Sequence, residues 1–268
     1  MSVDKVFAGS IPKLYEEYLV PLIFAPYAQD LARRVADAKP AHVLEIAAGT
    51  GVVTRAMDRV LPAATSVTAT DLNEAMLSEA AARGTQRRVQ WRQADAMQLP
   101  FDDESFDVVV CQFGAMFFPD KPQAFREAAR VLRPSGLFLF NVWDRIEDNE
   151  FADCVTSALA ALFPADPPRF LARTPHGYHD RSRIERDLAQ AGLDRIIIET
   201  LSERSRSPSP REPAIAYCRG TPLSNEIEAR DASALERATD IATRAMAQRF
   251  GNGSVDGKIQ AHVITAQI

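Results

Sequence analysis

Val43-Leu44-Glu45-Ile46-Ala47-Ala48-Gly49-Thr50-Gly51 reads as a short apolar strand, an acidic residue near its end and a turn of small residues. Val52-Val53-Thr54-Arg55-Ala56-Met57 follows as the start of a helix. Strand, glycine turn and helix in that order build a nucleotide site at the carboxyl end of the first strand of a doubly wound α/β domain. Gly49 and Gly51 allow backbone angles and a close approach that a side chain would block. The same turn can be simple tight packing, so the surrounding chain has to decide.

Outward from this turn the chain alternates strand and helix. Residues 66–70 are β-branched and read as a second strand ending at Asp71. Asn73 is the expected N-cap of a helix carrying Met76 and Leu77 and closed by Gly84. Residues 89–93 read as a third strand ending at Ala94-Asp95, and 106–113 as a central parallel strand, being almost continuously apolar. Asp120-Lys121-Pro122 caps a helix whose apolar residues keep helical spacing, and residues 133–136 turn into a fifth strand at 137–143. The pattern implies an α/β fold with a doubly wound, mostly parallel seven-stranded sheet. Its last two strands are expected near 195–201 and 258–267, the last antiparallel, with a mostly helical insertion over 202–257. Ser205–Pro210 reads as loop and helix entry. Residues 1–40 read as an N-terminal helical lid. One helix is broken at Pro21, and a second runs over 25–38 with Tyr27, Ala28, Leu31, Ala32 and Val35 as its apolar stripe. Phe7, Tyr15, Tyr18 and Phe24 add aromatic weight to that leader, as sheet packing or as a cover over a ligand. Residues 41–145 form the nucleotide-binding core, and 146–268 complete the sheet with helical cap insertions.

Composition narrows the function. The 268 residues suffice for one large domain with an elaborated cap. Basic and acidic side chains number 31 and 36, a net charge of −5, which argues against nucleic acid as the main partner. Arg83, Arg87, Arg88 and Arg92 read as a solvated basic face. Cys111, Cys154 and Cys218 have neither disulfide parity nor metal-ligand spacing, so no metal and a reducing, cytoplasmic setting are expected. No run of about 18 apolar residues suggests a transmembrane segment.

An acidic residue stands at or near the carboxyl end of each of the first three strands: Glu45, Asp71 and Asp95. One strand-helix unit separates each from the next, which predicts a row of carboxylates along one edge of the sheet. A carboxylate at the second strand can accept from both hydroxyls of a ribose, in a nicotinamide dinucleotide as in any adenosine. The dinucleotide fingerprint also wants a third glycine three residues after the second, and Thr54 stands there. A carboxylate ahead of the turn repels a phosphate and suits a phosphate-free ligand with a cationic end, such as S-adenosylmethionine.

Glu45-x-Ala47-x-Gly49-Thr50-Gly51, Asp71-Leu72-Asn73 with Met76-Leu77, and Gln93-Ala94-Asp95-Ala96 resemble successive motifs of S-adenosylmethionine-dependent methyltransferases. Leu99-Pro100-Phe101, Ser105-Phe106-Asp107 and Leu132-Arg133-Pro134-Ser135-Gly136 extend the resemblance, which is nearest to the branch that includes the ubiquinone and menaquinone methyltransferases. It implies that Glu45 and the turn Ala47, Gly49, Thr50 and Gly51 lie against the methionine moiety and sugar, and that Asp71 holds the ribose hydroxyls. It further implies that Leu72 and Met97 flank the adenine with Asn73 and Met76 nearby. Asp95 would accept from the adenine amine beside Ala96, and Gln112 and Phe113 would border the transferable methyl. Ala47 departs from the glycine of many relatives, and its methyl is expected to fit with a negative φ.

A sulfonium donor already carries an electrophilic methyl, so the protein must hold an acceptor atom in line, about 3–3.5 Å away, and exclude water. His176 and His179 are the candidate catalytic bases. The same pair also reads as a structural loop or as two metal ligands without a third. The acceptor pocket is expected where the carboxyl edge of the sheet meets the leader and helical additions. Tyr15, Tyr18, Phe113, Met116, Phe117, Trp143 and Tyr178 are its candidate lining, unless they are plain core, and favour an apolar or aromatic small-molecule acceptor. A homodimer is left open. The rival readings are a nicotinamide-dinucleotide oxidoreductase, disfavoured by Thr54, and a non-catalytic S-adenosylmethionine-binding module.

Overall fold

The computed structural model describes residues 9–268, and Phe7, with the start of the 1–40 leader, lies outside the described residues. The seven strands are β1 (His42–Glu45), β2 (Ser66–Asp71), β3 (Val89–Gln93), β4 (Phe106–Gln112), β5 (Leu132–Trp143), β6 (Arg195–Ser207) and β7 (Val255–Gln267). They pair in the order β3-β2-β1-β4-β5-β7-β6. β1 lies parallel to β2 and to β4, β2 to β3, and β4 to β5. The last strand is antiparallel: Gln267, at the end of β7, donates its side-chain amide to the Ser135 carbonyl near the start of β5 at 2.9 Å. The strand order reverses between β1 and β4, and that switch point is where such sheets open a ligand crevice.

Two periodicities build the layers. On one face, Leu31, Ala32 and Val35 of α2 (Ala25–Asp37) join Val53, Ala56 and Met57 of α3 (Val52–Val60) over Val43, Val67, Val108, Val110, Leu139 and Val263. Along β5 the neighbours of Leu139 point the other way, as strand alternation requires. There Phe138 and Phe140 stack at 4.8 Å and meet Phe125 of α5 (Lys121–Val131) at 5.6 and 5.3 Å. α5 starts as its sequence predicts, with the Asp120 carboxylate accepting from the Gln123 N–H at 2.9 Å. Asn73 occupies the N-cap position of α4 (Glu74–Arg83), but its side chain makes no cap bond and turns to Asp71 instead. Arg87 is no solvated charge: it pairs with Asp58 at 2.9 Å and donates to the Leu61 carbonyl behind α3.

The described residues divide into two compact units that do not follow the three consecutive segments expected from the sequence. The sheet-bearing unit comprises residues 26–142, 178–201 and 261–268. Among the described residues the helical unit comprises residues 9–25, 143–177 and 202–260. In the helical unit, α11 (Ala234–Phe250) packs on α6 (Glu150–Leu162) and α9 (Arg211–Arg219), and Phe151 meets Phe250 edge-on at 4.9 Å. Pro21 does not break the leader. It sits inside a ten-residue π-helical stretch, Tyr15–Phe24, whose wider turn moves the i−4 carbonyl away from the proline ring. Ser205 and Ser207 belong to β6 rather than to a loop, and the Ser205 hydroxyl donates to the Leu22 carbonyl at 2.8 Å.

Candidate active site at the glycine turn

After β1 the chain tucks between its neighbours: the Ile46 N–H donates to the Val110 carbonyl and the Ala48 N–H to the Thr70 carbonyl, each at 2.9 Å. Ala47, Gly49 and Gly51 all take left-handed angles, with φ of +53°, +57° and +79°. The negative φ expected for Ala47 is therefore corrected. An L-residue pays roughly 1–2 kcal/mol for that conformation, and the packing shows what the methyl does there. A Cβ on Gly114 would lie 2.5 Å from the Ala47 Cβ and 2.8 Å from Cys111 Sγ. The methyl at position 47 fills the space that a side chain at position 114 would need. Gly51 has a different reason to be glycine, since a Cβ would meet the Trp91 ring at 2.9 Å.

This pairing predicts a rescue. Gly114→Ala alone should destabilise by about 1–3 kcal/mol through overpacking, because its φ of −99° suits any residue and only the clash opposes it. Adding Ala47→Gly should return part of that loss, the Cys111 Sγ contact remaining, and give a coupling of about 1 kcal/mol in a urea-unfolding double-mutant cycle. Additive single effects would refute the pairing.

The carboxylates do not stand in one row. Asp71 braces the turn: its Oδ2 accepts from the Gly49 N–H and its Oδ1 from the Asn73 N–H, both at 2.8 Å. Burial raises its pKa against these bonds. Glu45 pairs with Ala69, two residues short of Asp71, and so lies below the turn at 1% exposure. Its Oε2 accepts from the Thr54 hydroxyl. Burial pushes the Glu45 carboxyl up to about 8, with Asp71 adding to the rise while the Thr54 bond and Arg55 oppose it. Asp95 is exposed and accepts from the Met97 N–H at 2.9 Å. Gln123 of α5 donates to the Met97 carbonyl at 3.2 Å, holding this loop from behind. Burial pushes the Cys111 thiol up to about 12, which removes it as a nucleophile near neutral pH.

The remaining predicted residues divide between the units. Leu72 and Asn73 are half-buried and Met76 is buried, and Ala96 and Met97 flank the loop after β3. Gln112 ends β4, Phe113 and Met116 are buried and Phe117 is half-buried, all in the sheet-bearing unit. Tyr178 and His179 are there too. The Tyr178 hydroxyl donates to Asp187 at 2.7 Å, and Lys121 and Arg183 stand over its ring, so packing accounts for it. Tyr15, Tyr18, Trp143 and His176 belong to the helical unit. There the rings follow one another: Tyr15 stacks on Phe24 at 4.9 Å, Phe24 lies 6.0 Å from Trp143, and Trp143 lies 6.0 Å from His176. His176 Nδ1 faces the Asp144 carbonyl at 2.8 Å and so carries the ring proton. Among the described residues no group of three or more histidine, cysteine or acidic side chains is placed to hold a metal. A cavity of about 300 Å³ bordered by Asp107, Arg133 and Gln267 lies at the amino end of β4, the end of the strands away from the glycine turn.

Sequence reasoning missed Thr54, Arg55, Gln123 and Asn141. Thr54 carried a signal that was read only as a missing glycine. Arg55, one residue on, donates to the Thr50 carbonyl at 2.5 Å.

A mostly parallel sheet of this order, with an acidic residue and a left-handed glycine turn after its first strand and a carboxylate closing its second, defines a Rossmann-like methyltransferase fold. The chain matches the methyltransferase domain family over residues 44–140. The ubiquinone/menaquinone biosynthesis C-methyltransferase UbiE of Azotobacter vinelandii is 30% identical over 174 residues, covering 60% of this chain and 69% of that protein. A methyltransferase structure from Bacillus halodurans superposes with a TM-score of 0.56 at 21% identity, covering 89% of this chain and 97% of that one. The Haemonchus contortus phosphoethanolamine N-methyltransferase 2, solved with phosphomonomethylethanolamine and S-adenosylhomocysteine, gives 0.62 at 16% identity, covering 100% of this chain and 60% of that one. The chain belongs to the S-adenosylmethionine-dependent methyltransferases of the ubiquinone/menaquinone-biosynthesis type.

The residues present fit such a donor. Thr50 Oγ1 is fully buried in the turn and has no partner among the described residues, a polar atom left for a ligand. Among the described residues no helix is long and apolar enough to cross a membrane.

Proposed function

We propose that this enzyme methylates a carbon of a hydroxylated, planar aromatic small molecule of the quinol type in the cytoplasm. The observation that carries the donor side is the buried, unpaired Thr50 hydroxyl in a left-handed turn braced by Asp71. Asp71 Oδ1 already accepts from the Asn73 N–H and side-chain amide, while Oδ2 accepts only from the Gly49 N–H among these bonds, so Oδ2 is the oxygen offered to the ribose hydroxyls. Gly49 and Gly51 give the turn the left-handed backbone that would lie against the methionine moiety. Leu72, Asn73, Met76 and Met97 bound the adenine, and Asp95 with Ala96 reads its amine edge. Gln112 and Phe113 border the reacting end. When bound, the donor supplies an electrophilic methyl on a sulfonium.

Tyr15, Phe24, Trp143 and His176 form a run of rings packed on one another, an apolar and aromatic neighbourhood in keeping with an aromatic acceptor. His176 donates from Nδ1 to the Asp144 carbonyl, which makes Nε2 the basic nitrogen of that ring. Relatives named C-methyltransferases of ubiquinone and menaquinone biosynthesis support carbon as the methylated atom. All three cysteines are free and buried, in keeping with a reducing compartment.

Isothermal titration should show micromolar binding of S-adenosylhomocysteine and none of NAD. Mass spectrometry should show a gain of one methyl on a benzoquinol or naphthoquinol acceptor. Binding of NAD alone would overturn the donor, and methylation confined to amines would overturn the acceptor class.

A further inference from the structure

Phe113 follows the last residue of β4 with φ +49°, a left-handed conformation in a bulky residue. One neighbour on β5 holds its N–H twice: Asn141 accepts through Oδ1 at 2.9 Å and through its carbonyl oxygen at 3.2 Å. Asn141 stands opposite Gln112 in the β4–β5 register, one residue before the bend. The Phe113 ring is fixed edge-on against Tyr27, with centroids 5.3 Å apart, and the Tyr27 hydroxyl donates to the Leu201 carbonyl at 3.1 Å. The next residue, Gly114, is the one pressed against Ala47 of the glycine turn. A left-handed residue thus directly precedes the glycine that packs on the left-handed Ala47, and Asn141 holds the first of the two.

Stability does not explain this amide. Asn141 is fully buried, and its Nδ2 donor has no acceptor among the described residues. A buried donor left unmade weakens folding, whereas an apolar side chain of the same size would not. The Phe113 N–H would keep a backbone acceptor without the side chain. What the side chain adds is direction at the bend.

We propose that Asn141 is a positioning residue that holds Phe113 left-handed and so fixes the Phe113–Gly114 step against the donor-binding turn. The inference rests on the donor site argued above. Its experiment compares S-adenosylhomocysteine affinity with thermal stability in Asn141→Leu and Asn141→Asp. Asn141→Leu loses the clamp and the unpaired donor together, so its unfolding temperature should stay level or rise while affinity falls about ten-fold, the scale of a non-glycine residue's bias against the left-handed region. Asn141→Asp keeps an acceptor for the Phe113 N–H but buries a carboxylate. It should unfold at a lower temperature and bind as the wild type does. Wild-type affinity in Asn141→Leu, or losses of affinity that simply follow loss of stability in both variants, would overturn the clamp. A wild-type protein that fails to bind S-adenosylhomocysteine would instead overturn the donor site, and the clamp with it.

Discussion

Asp71→Ala should abolish measurable S-adenosylhomocysteine binding, a loss of at least about 100-fold, and should lower the unfolding temperature as well. The carboxylate takes the Gly49 N–H on one oxygen and the Asn73 N–H on the other, so its removal strips two partly buried donors at once. Each such donor costs about 1–3 kcal/mol when left unmade. Part of that returns, because burial already disfavours the Asp71 carboxylate. A net loss of about 2 kcal/mol corresponds to a fall of about 4–8 °C for a chain of this size. Affinity should fall further than stability, since the turn loses its brace and the ribose its acceptor together. Asp71→Asn keeps one acceptor oxygen and should fall between. Calorimetry well below the transition, on protein shown to be folded by circular dichroism, separates the two effects. Wild-type affinity in Asp71→Ala would remove Asp71 from the donor site.

Much of this site was legible because its logic is local. The glycine turn, Asp71 at the end of β2 and Asp95 after β3 all follow from spacing within one strand-helix unit, and the α2 stripe follows from a 3.6-residue period. What was not legible depends on register and depth. Glu45 and Asp71 look equivalent in the sequence, but β1 pairs Glu45 with Ala69, which places it two residues lower and inside the protein. The sign of φ at Ala47 depended on Gly114, 67 residues away, whose missing side chain makes room for the methyl. Pro21 looked like a helix end because an α-helical ladder was assumed, and a π-helical stretch tolerates it. The Asn141 clamp needed the pairing of β4 with β5, which no spacing within either strand reveals.

Thr54 turns the absent third glycine into a testable property of Glu45. The side chain at that position is a hydroxyl that donates to a buried carboxyl, whose pKa burial and the charge of Asp71 both raise. Glu45 therefore keeps its proton in the folded protein up to about pH 8, while the unfolded chain releases it near 4.5. A raised folded-state pKa gives stability that is complete below the unfolded value and is lost as pH climbs through the folded one. The wild type should lose stability from this group steadily between about pH 4.5 and pH 8, on the order of 3 kcal/mol by pH 7. Glu45→Gln mimics the protonated side chain and cannot ionise, so it should escape that loss. Its advantage over the wild type should grow by on the order of 3 kcal/mol from pH 5 to pH 8 in parallel urea titrations. The difference between the two profiles isolates Glu45, since every other titrating group is common to both proteins. Parallel profiles would mean that Glu45 is ionised beneath the turn, with the Thr54 hydroxyl donating to a carboxylate rather than to a protonated acid.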